Sequence, residues 1–461
     1  MTPALFVVLI ILVVFARGAD IAAVWPFAWG VMAILVVIHL RQLAWRERYL
    51  LALSTCIAVL VFVFDATPFQ NMHAALNQAA FLVAFVVVLG VLREAAVSSP
   101  SIATLGAYLT QQPTQRRYSA LYLGTGVMQV LFNIGVVSFL IPLIQRGIET
   151  ARPGDLLNPI REQRQVSAMQ RGFAWGVVWS PTALAPLALY ELLPGVDRLL
   201  WISMGLGLFL LMLVLGVVED TIRFRAHRAV SVVVPPIFPV TAAIGFTATF
   251  VSLLSLAEFS AVFFNETIVF GLLLACPIMT IGWIAIQSRT LPDARRVTLG
   301  RLQEIYSVQM GQSGTLAIAL GCSGFMGRAA GILVPSDDFA IFFGLHTTPD
   351  WIVLSILPVA LCVFSMFGFS PLMMAIFFGS LFGGMSVLPA DATLIALAIS
   401  CGWGLSMTAS PFATVILMIN RLGKIPVSRL TYGWNGVFSG LSVLVMTAIF
   451  YVCFRGSSQV F

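Results

Sequence analysis

The sequence predicts an all-α, polytopic membrane protein of about eleven transmembrane helices plus two re-entrant hairpins, arranged as an inverted repeat. Three observations predict it. Hydrophobic residues are 59% of the 461 and charged residues 10%, with a mean hydropathy of +0.99, and such a composition cannot cover a water-soluble surface. Apolar runs long enough to cross about 30 Å of hydrocarbon, roughly 20 helical residues each, follow one another with short loops and leave no soluble domain. A polar, helix-breaking motif also occurs twice: Trp175-Gly176, three residues, then Ser180-Pro181-Thr182-Ala183 returns as Trp403-Gly404, five residues, then Ser410-Pro411-Phe412-Ala413-Thr414.

The elements follow in order. The first run, Ala4 to Ala16, has no basic segment before it and no small-x-small cleavage site before Ala22, so 1–21 reads as a retained leading helix crossing near 4–18. Crossings are expected near 22–40, 49–66, 79–93, 171–190 and 199–218, and again near 236–256, 262–286, 313–335, 392–418 and 435–454. Two apolar stretches remain, 118–144 and 351–388, each a single crossing or a hairpin that enters and returns.

The arginines decide between these, because basic residues of short loops stay on the cytoplasmic side. With both stretches re-entrant and the N-terminus inside, all 25 basic residues except Arg17, Arg198, Arg328 and Arg455 are cytoplasmic. A full crossing at 118–144 would instead put the arginines from Arg146 to Arg171, Arg152 among them, outside. Asp65, Glu191, Asp197, Glu258, Asp337, Asp338, Asp350 and Asp391 fall on the outer side. Five crossings per unit is odd, so the second unit is inverted: 22–218 with inner hairpin 118–144, then 236–454 with outer hairpin 351–388. The location implied is a bacterial-type cytoplasmic (inner) membrane, N-terminus cytoplasmic and C-terminus outside. The net charge of +6 comes from arginine loops beside anionic lipid and is no footprint for nucleic acid.

Chemistry concentrates at the hairpin turns and the repeated motif. Phe132-Asn133-Ile134-Gly135-Val136-Val137-Ser138 puts an amide, a glycine and a hydroxyl where the first hairpin turns, and Phe367-Gly368-Phe369-Ser370-Pro371 does so in the second. Freed backbone groups are tolerated there only inside protein or along a wet cavity. Half-helix N-termini suit an anion, and unwound carbonyls and hydroxyls suit a small cation. Proline at 181 and 411 breaks the following crossing, and the adjacent hydroxyls either patch the lost hydrogen bond or bind a ligand. The candidate solute and ion ligands are Asn133, Ser138, Ser180, Thr182, Ser370, Thr408, Ser410 and Thr414.

This plan resembles the ion transporter superfamily, particularly divalent anion/sodium symporters, citrate transporters and arsenite permeases. In those symporters a Ser-Asn-Thr tip precedes an apolar run ending in Leu-Pro-Ile, and Asn133 to Pro142 is similar, with Phe132 and Ile134 where the family has hydroxyls. Ser180-Pro181-Thr182 with Pro186, and Ser410-Pro411 with Thr408 and Thr414, stand where the family has its unwound loops. The resemblance implies a homodimer through a scaffold and an elevator-like moving domain of hairpins and broken helices.

Other features are bland. The six cysteines are scattered singly, the four histidines form no ligand cluster, and no Walker A pattern occurs. No cofactor is expected beyond a coupling sodium ion or proton, and the lost family hydroxyls favour the proton. Gly436 and Gly440 make a G-x-x-x-G face read as internal packing. Glu266 and Arg328 are the charged residues read within crossings, as proton-coupling or solute-charge candidates. The reading is a non-enzymatic secondary transporter whose partners are a small anionic solute and the lipid bilayer. The alternative is a membrane-embedded lipid-linked glycan or lipid enzyme, which needs large outward loops; the longest outward segments, near 66–78 and 336–350, are short.

Overall fold

The computed structural model describes residues 2–151, 153–227 and 236–454, and among them the chain is helical with no strand. Arg152, Arg228 and Arg455 of the arginine census lie outside the described residues. Helix α1 (Thr2–Gly18) leads, followed by α2 (Trp25–His39), α3 (Trp45–Phe64), α4 (Pro68–Val97) and a short α5 (Pro100–Thr110). A helical pair, α6 (Thr114–Phe132) and α7 (Gly135–Ala151), precedes a second pair, α8 (Asn158–Gly176) and α9 (Leu184–Leu192), and then α10 (Arg198–Arg223).

The succession then recurs. After α11 (Val240–Phe264) and α12 (Ile268–Ser288) comes a helix in pieces, α13 (Ala294–Glu304), a π turn at Ile305–Gln309, α14 (Met310–Gln312) and α15 (Gly314–Leu333). The short α16 (Ser336–Phe342) leads to the pair α17 (Asp350–Met366) and α18 (Pro371–Gly383), then the pair α19 (Ala392–Ala409) and α20 (Thr414–Gly423). A π turn at Arg429–Asn435 opens the last helix, α21 (Gly436–Phe454).

Among the described residues, nine helices are long and apolar enough to cross a membrane, and this is a helical polytopic membrane protein. Two of the eleven expected crossings are cut: 171–190 by the break between α8 and α9, and 392–418 by that between α19 and α20. Helix α1, at 17 residues, is a short span. The segment 66–78, expected as an outward loop, is largely the first turns of α4, which begins at Pro68 with proline at a position where no intrahelical N–H is needed. The loop expected at 145–171 is mostly helix, because α7 runs on to Ala151 and α8 starts at Asn158 with Pro159 in its first turn.

The chain packs as two compact units, each drawing on both sequence halves. The first comprises 1–102 and 241–333, which holds α1–α4 and α11–α15. In it α15 lies against α4 because Gly321 and Gly324 leave room for the side chains of Val83 and Leu82. Val59, Phe62 and Val63 on α3 and Ile244 and Val251 on α11 stay exposed, which is stable only in hydrocarbon.

The second unit comprises 103–240 and 334–461. Its centre is α19, in which every residue from Ala392 to Ala409 is buried. The pairs α6–α8 and α17–α19 pack backbone to backbone: a side chain at Gly172 would strike the Tyr122 backbone, and one at Gly402 the Pro358 backbone.

Candidate functional site

The repeated motif is a repeated conformation. Helix α8 ends at Gly176, where the Ser180 N–H still reaches the Gly176 carbonyl (3.1 Å), and Ala183 N–H then reaches Ser180 O (3.2 Å). At the second copy Ser410 N–H reaches Ser406 O (2.9 Å) and Ala413 N–H reaches Ser410 O (3.2 Å). Ala183 (φ −75°, ψ 141°) and Ala413 (φ −63°, ψ 136°) then enter α9 and α20 in the same extended conformation. Prolines 181 and 411 supply no N–H to the carbonyl four residues back, which weakens the helix at each break, although Pro142, Pro277 and Pro358 stand inside helices that continue. Neither new helix start has a side-chain cap, which leaves its first N–H groups to a ligand, water or a neighbour.

The hairpin turns are equally tight. Asn133, at φ 49° and ψ −133°, ends α6 with its N–H on the Gln129 carbonyl (2.6 Å), while its side-chain Oδ1 accepts the Ile134 N–H (2.8 Å). Positive φ is disfavoured for residues with a Cβ, and Asn tolerates it best. In the second hairpin Gly368 takes the positive φ, 92°, and Ser370, almost fully buried, starts α18 ahead of Pro371.

Each break is tied to the hairpin before it by a hydroxyl that donates to a carbonyl close to the turn. The Thr182 hydroxyl donates to Val130 O, and the Ser180 and Thr182 hydroxyls lie 3.3 Å apart. The Ser410 hydroxyl donates to Ser365 O (2.7 Å) and accepts the Phe412 N–H (3.2 Å). Val130 and Ser365 each lie three residues before the positive-φ residue of their turn. The two broken helices also meet, because Gly404 sits against the Ala174 carbonyl and Val178.

Around these ties buried donors are left over. Gln129 Nε2, Ser365 Oγ and the indole N–H groups of Trp175, Trp179 and Trp403 have no hydrogen-bond partner among the described residues. A buried unpaired donor costs about 1–3 kcal/mol, so a concentration of them beside two helix breaks marks a place for water or a polar ligand. Trp175 and Trp403 are the tryptophans of the two motif copies, and a side chain at Gly176 would run into the Gln129 amide.

The structure thus draws Asn133, Ser180, Thr182, Ser370 and Ser410 to turns and breaks. Three other candidates are placed differently. Ser138, half-buried, donates to the Gly135 carbonyl of its own helix (2.8 Å). Thr408 donates to Leu405 O (2.9 Å) and lies 2.9 Å from the Ser439 hydroxyl on α21. Thr414, half-buried, begins α20.

Charge inside the fold is richer than Glu266 and Arg328. Glu266 is the partner of Arg17 at 3.1 Å, and that guanidinium also covers the Phe81 ring at 4.8 Å; this is a structural ion pair of the first unit. In the second unit Arg171, 1% exposed, donates to Asn435 Oδ1 (2.7 Å), Glu219 (2.8 Å), the Tyr118 hydroxyl (3.1 Å) and Trp434 O (3.2 Å). Arg223 also binds Glu219 (3.2 Å), and Arg164 grips Asp220 with two hydrogen bonds (3.0 and 2.7 Å). Asn435 in turn donates to Gln170 (3.0 Å). This cluster pins α8 to α10 and to the π turn, whose Gly433 and Trp434 carbonyls accept from Arg223. The sequence signal for it was Gln170-Arg171 inside an α-helical run and Glu219-Asp220 at the end of another; a positive-inside census assigns such arginines to loops.

No family model and no curated protein matches the chain. Among solved structures it is similar to the crystal structure of the Alcanivorax borkumensis YdaH transporter, whose reported topology is unusual. The two share 14% identity over 89% of this chain and 99% of that one, with a TM-score of 0.53. The fold is therefore that of a helical membrane transporter.

Proposed function

We propose, from a chain with this fold, that the protein is a secondary active transporter of a small anionic solute, driven by sodium or protons. The observation that carries the reading is the pair of broken helices. Two copies of one Ser-Pro motif adopt the same backbone, leave two helix starts uncapped, and tie each to a hairpin turn amid unpartnered buried donors. A helix start favours negative charge, and two of them in one unit suit an anion with carboxylate or oxyanion groups.

The reading includes an inverted repeat, 22–218 and 236–454, after leading helix 1–21, and an elevator-type cycle. It is supported by the second unit holding both hairpins and both Ser-Pro breaks, neither of which falls in the first. A homodimer in a bacterial inner membrane with cytoplasmic N-terminus completes it. Uptake into proteoliposomes of a panel of carboxylates and oxyanions, under an imposed sodium or proton gradient, tests the function. Accumulation of one solute under one gradient is expected; no gradient-driven accumulation of any of them would remove it.

A further inference from the structure

At the open end of the first hairpin lies a cavity of about 630 Å³, formed by the end of α5, the start of α6, the end of α7 and the start of α8. Four arginines line it, Arg117, Arg146, Arg161 and Arg164, together with Gln165, and among the described residues no carboxylate does. Arg161 pairs with Asp155 (2.8 Å), Arg164 pairs with Asp220 (2.7 Å), and Arg117 Nε donates to the Gln112 carbonyl (2.7 Å). These contacts fix their guanidiniums in place.

Two further observations point to an occupant. Gln165 is 5% exposed, and its amide has no hydrogen-bond partner among the described residues. Helix α6 starts at this cavity, from Pro113, without a side-chain cap and without an acidic residue in the first turn, whereas at the start of α8 the Leu157 N–H is taken by the Asp155 carboxylate (2.9 Å). Guanidiniums, a buried amide and the uncapped start of α6 are all donors, and together they match a group with several acceptor oxygens. The volume lies in the range of small-molecule sites, roughly 300–1,000 Å³. The rest of the wall is apolar, including Leu143, Ile144 and Leu157.

We propose that this cavity is a binding site for a phosphate group, monoester or diester, carried on a partly apolar molecule. It is separate from the transport site: Arg117 near the start of α6 and Asn133 just past its end are about 24 Å apart at 1.5 Å per residue. Through Arg164 and Asp220 the site touches α10, and through Tyr118, which lines it, the Arg171 cluster.

The test is thermal stability of purified protein in phosphatidylcholine nanodiscs, with phosphatidylglycerol added to the bilayer or with glycerol phosphate added to the solution. A rise in melting temperature with at least one of them is expected for the wild type and for Asn133→Ala. In Arg117→Gln/Arg146→Gln the concentration needed should rise about tenfold or more, as for loss of a charge-assisted contact, whereas Arg117→Lys/Arg146→Lys should keep most of the effect. A response to phosphatidylglycerol alone assigns a lipid headgroup; a response to glycerol phosphate as well assigns a soluble phosphate compound. No response to either, an unchanged response in the double Gln variant, or a response abolished by Asn133→Ala would overturn the proposal. Should the double Gln protein not fold, Arg146→Gln alone, at an exposed position, serves the same comparison. Because binding and not uptake is read, failure here leaves the transport reading standing, and the reverse also holds.

Discussion

At the scale of single residues, the distinction that matters is between polar groups used by the fold and polar groups left over. The carbonyl oxygen of Asn133 is used, because it accepts the Ile134 N–H and holds the turn; its amide nitrogen has no partner among the described residues. Asn133→Ala should therefore cut uptake per folded molecule by at least about tenfold, the loss of one charge-assisted contact to solute, beyond the fall in melting temperature that follows from losing the Ile134 contact and placing Ala at positive φ. Normal uptake by a stable variant would move the site elsewhere. Glu266 belongs to the other class. Glu266→Gln should lower the melting temperature by loosening Arg17 and leave the pH dependence of uptake unchanged; a shifted pH profile would restore it as a coupling residue. Arg171→Leu leaves Glu219 to Arg223 alone and removes the donor to Asn435 Oδ1 and the Tyr118 hydroxyl; a buried polar group left unpaired costs about 1–3 kcal/mol, so a marked fall in melting temperature in detergent is expected.

At the scale of elements, glycines set which helices touch. Gly404 lies where α19 crosses α8, and a side chain there would press on the Ala174 carbonyl and Val178. Gly404→Val should push the broken helices apart and lower both melting temperature and uptake, since a backbone contact cannot give way as a flexible side chain can. The G-x-x-x-G face of α21 behaves differently from the sequence reading of internal packing: among the described residues a Cβ at Gly440 would meet nothing within 4 Å, and one at Gly436 only the Thr431 carbonyl at 3.9 Å. Gly440→Leu should leave the melting temperature of the monomer unchanged; a marked drop would mean that another element packs there.

At the scale of the whole molecule, the open question is topology. Cysteines introduced at Asn158 and Ala294, at the starts of α8 and α13, should react alike in intact cells: neither with an impermeant reagent added outside, both after permeabilisation. Strong outside labelling at 158 alone would make α6 and α7 a continuous crossing in effect and remove the inverted repeat. The expectation for 145–171 came from a loop, yet most of it is helix whose arginines turn inward to Glu219 and Asp220. The labelling therefore tests a side assignment that buried arginines such as Arg171 do not support.

Helix content, the hairpin turn at Asn133, the turn at Gly368 and the two Ser-Pro breaks were all legible in the sequence. Each follows from local rules: apolar length, the loss of an N–H at proline, and the few residues that accept positive φ. Which hydroxyl became a tie and which a bystander was not legible, because Thr182 and Thr408 look alike until one meets Val130 O and the other Ser439. The grouping of α1–α4 with α11–α15 was equally hidden, whereas the gathering of the hairpins with both broken helices is what the family resemblance implied. Periodicity and hydropathy report how each segment meets its surroundings on average, whereas partners far apart in sequence are chosen by packing. The Arg171 cluster shows the reason most directly, since a charge that reads as surface can be buried once the fold supplies a carboxylate and three further acceptors around it.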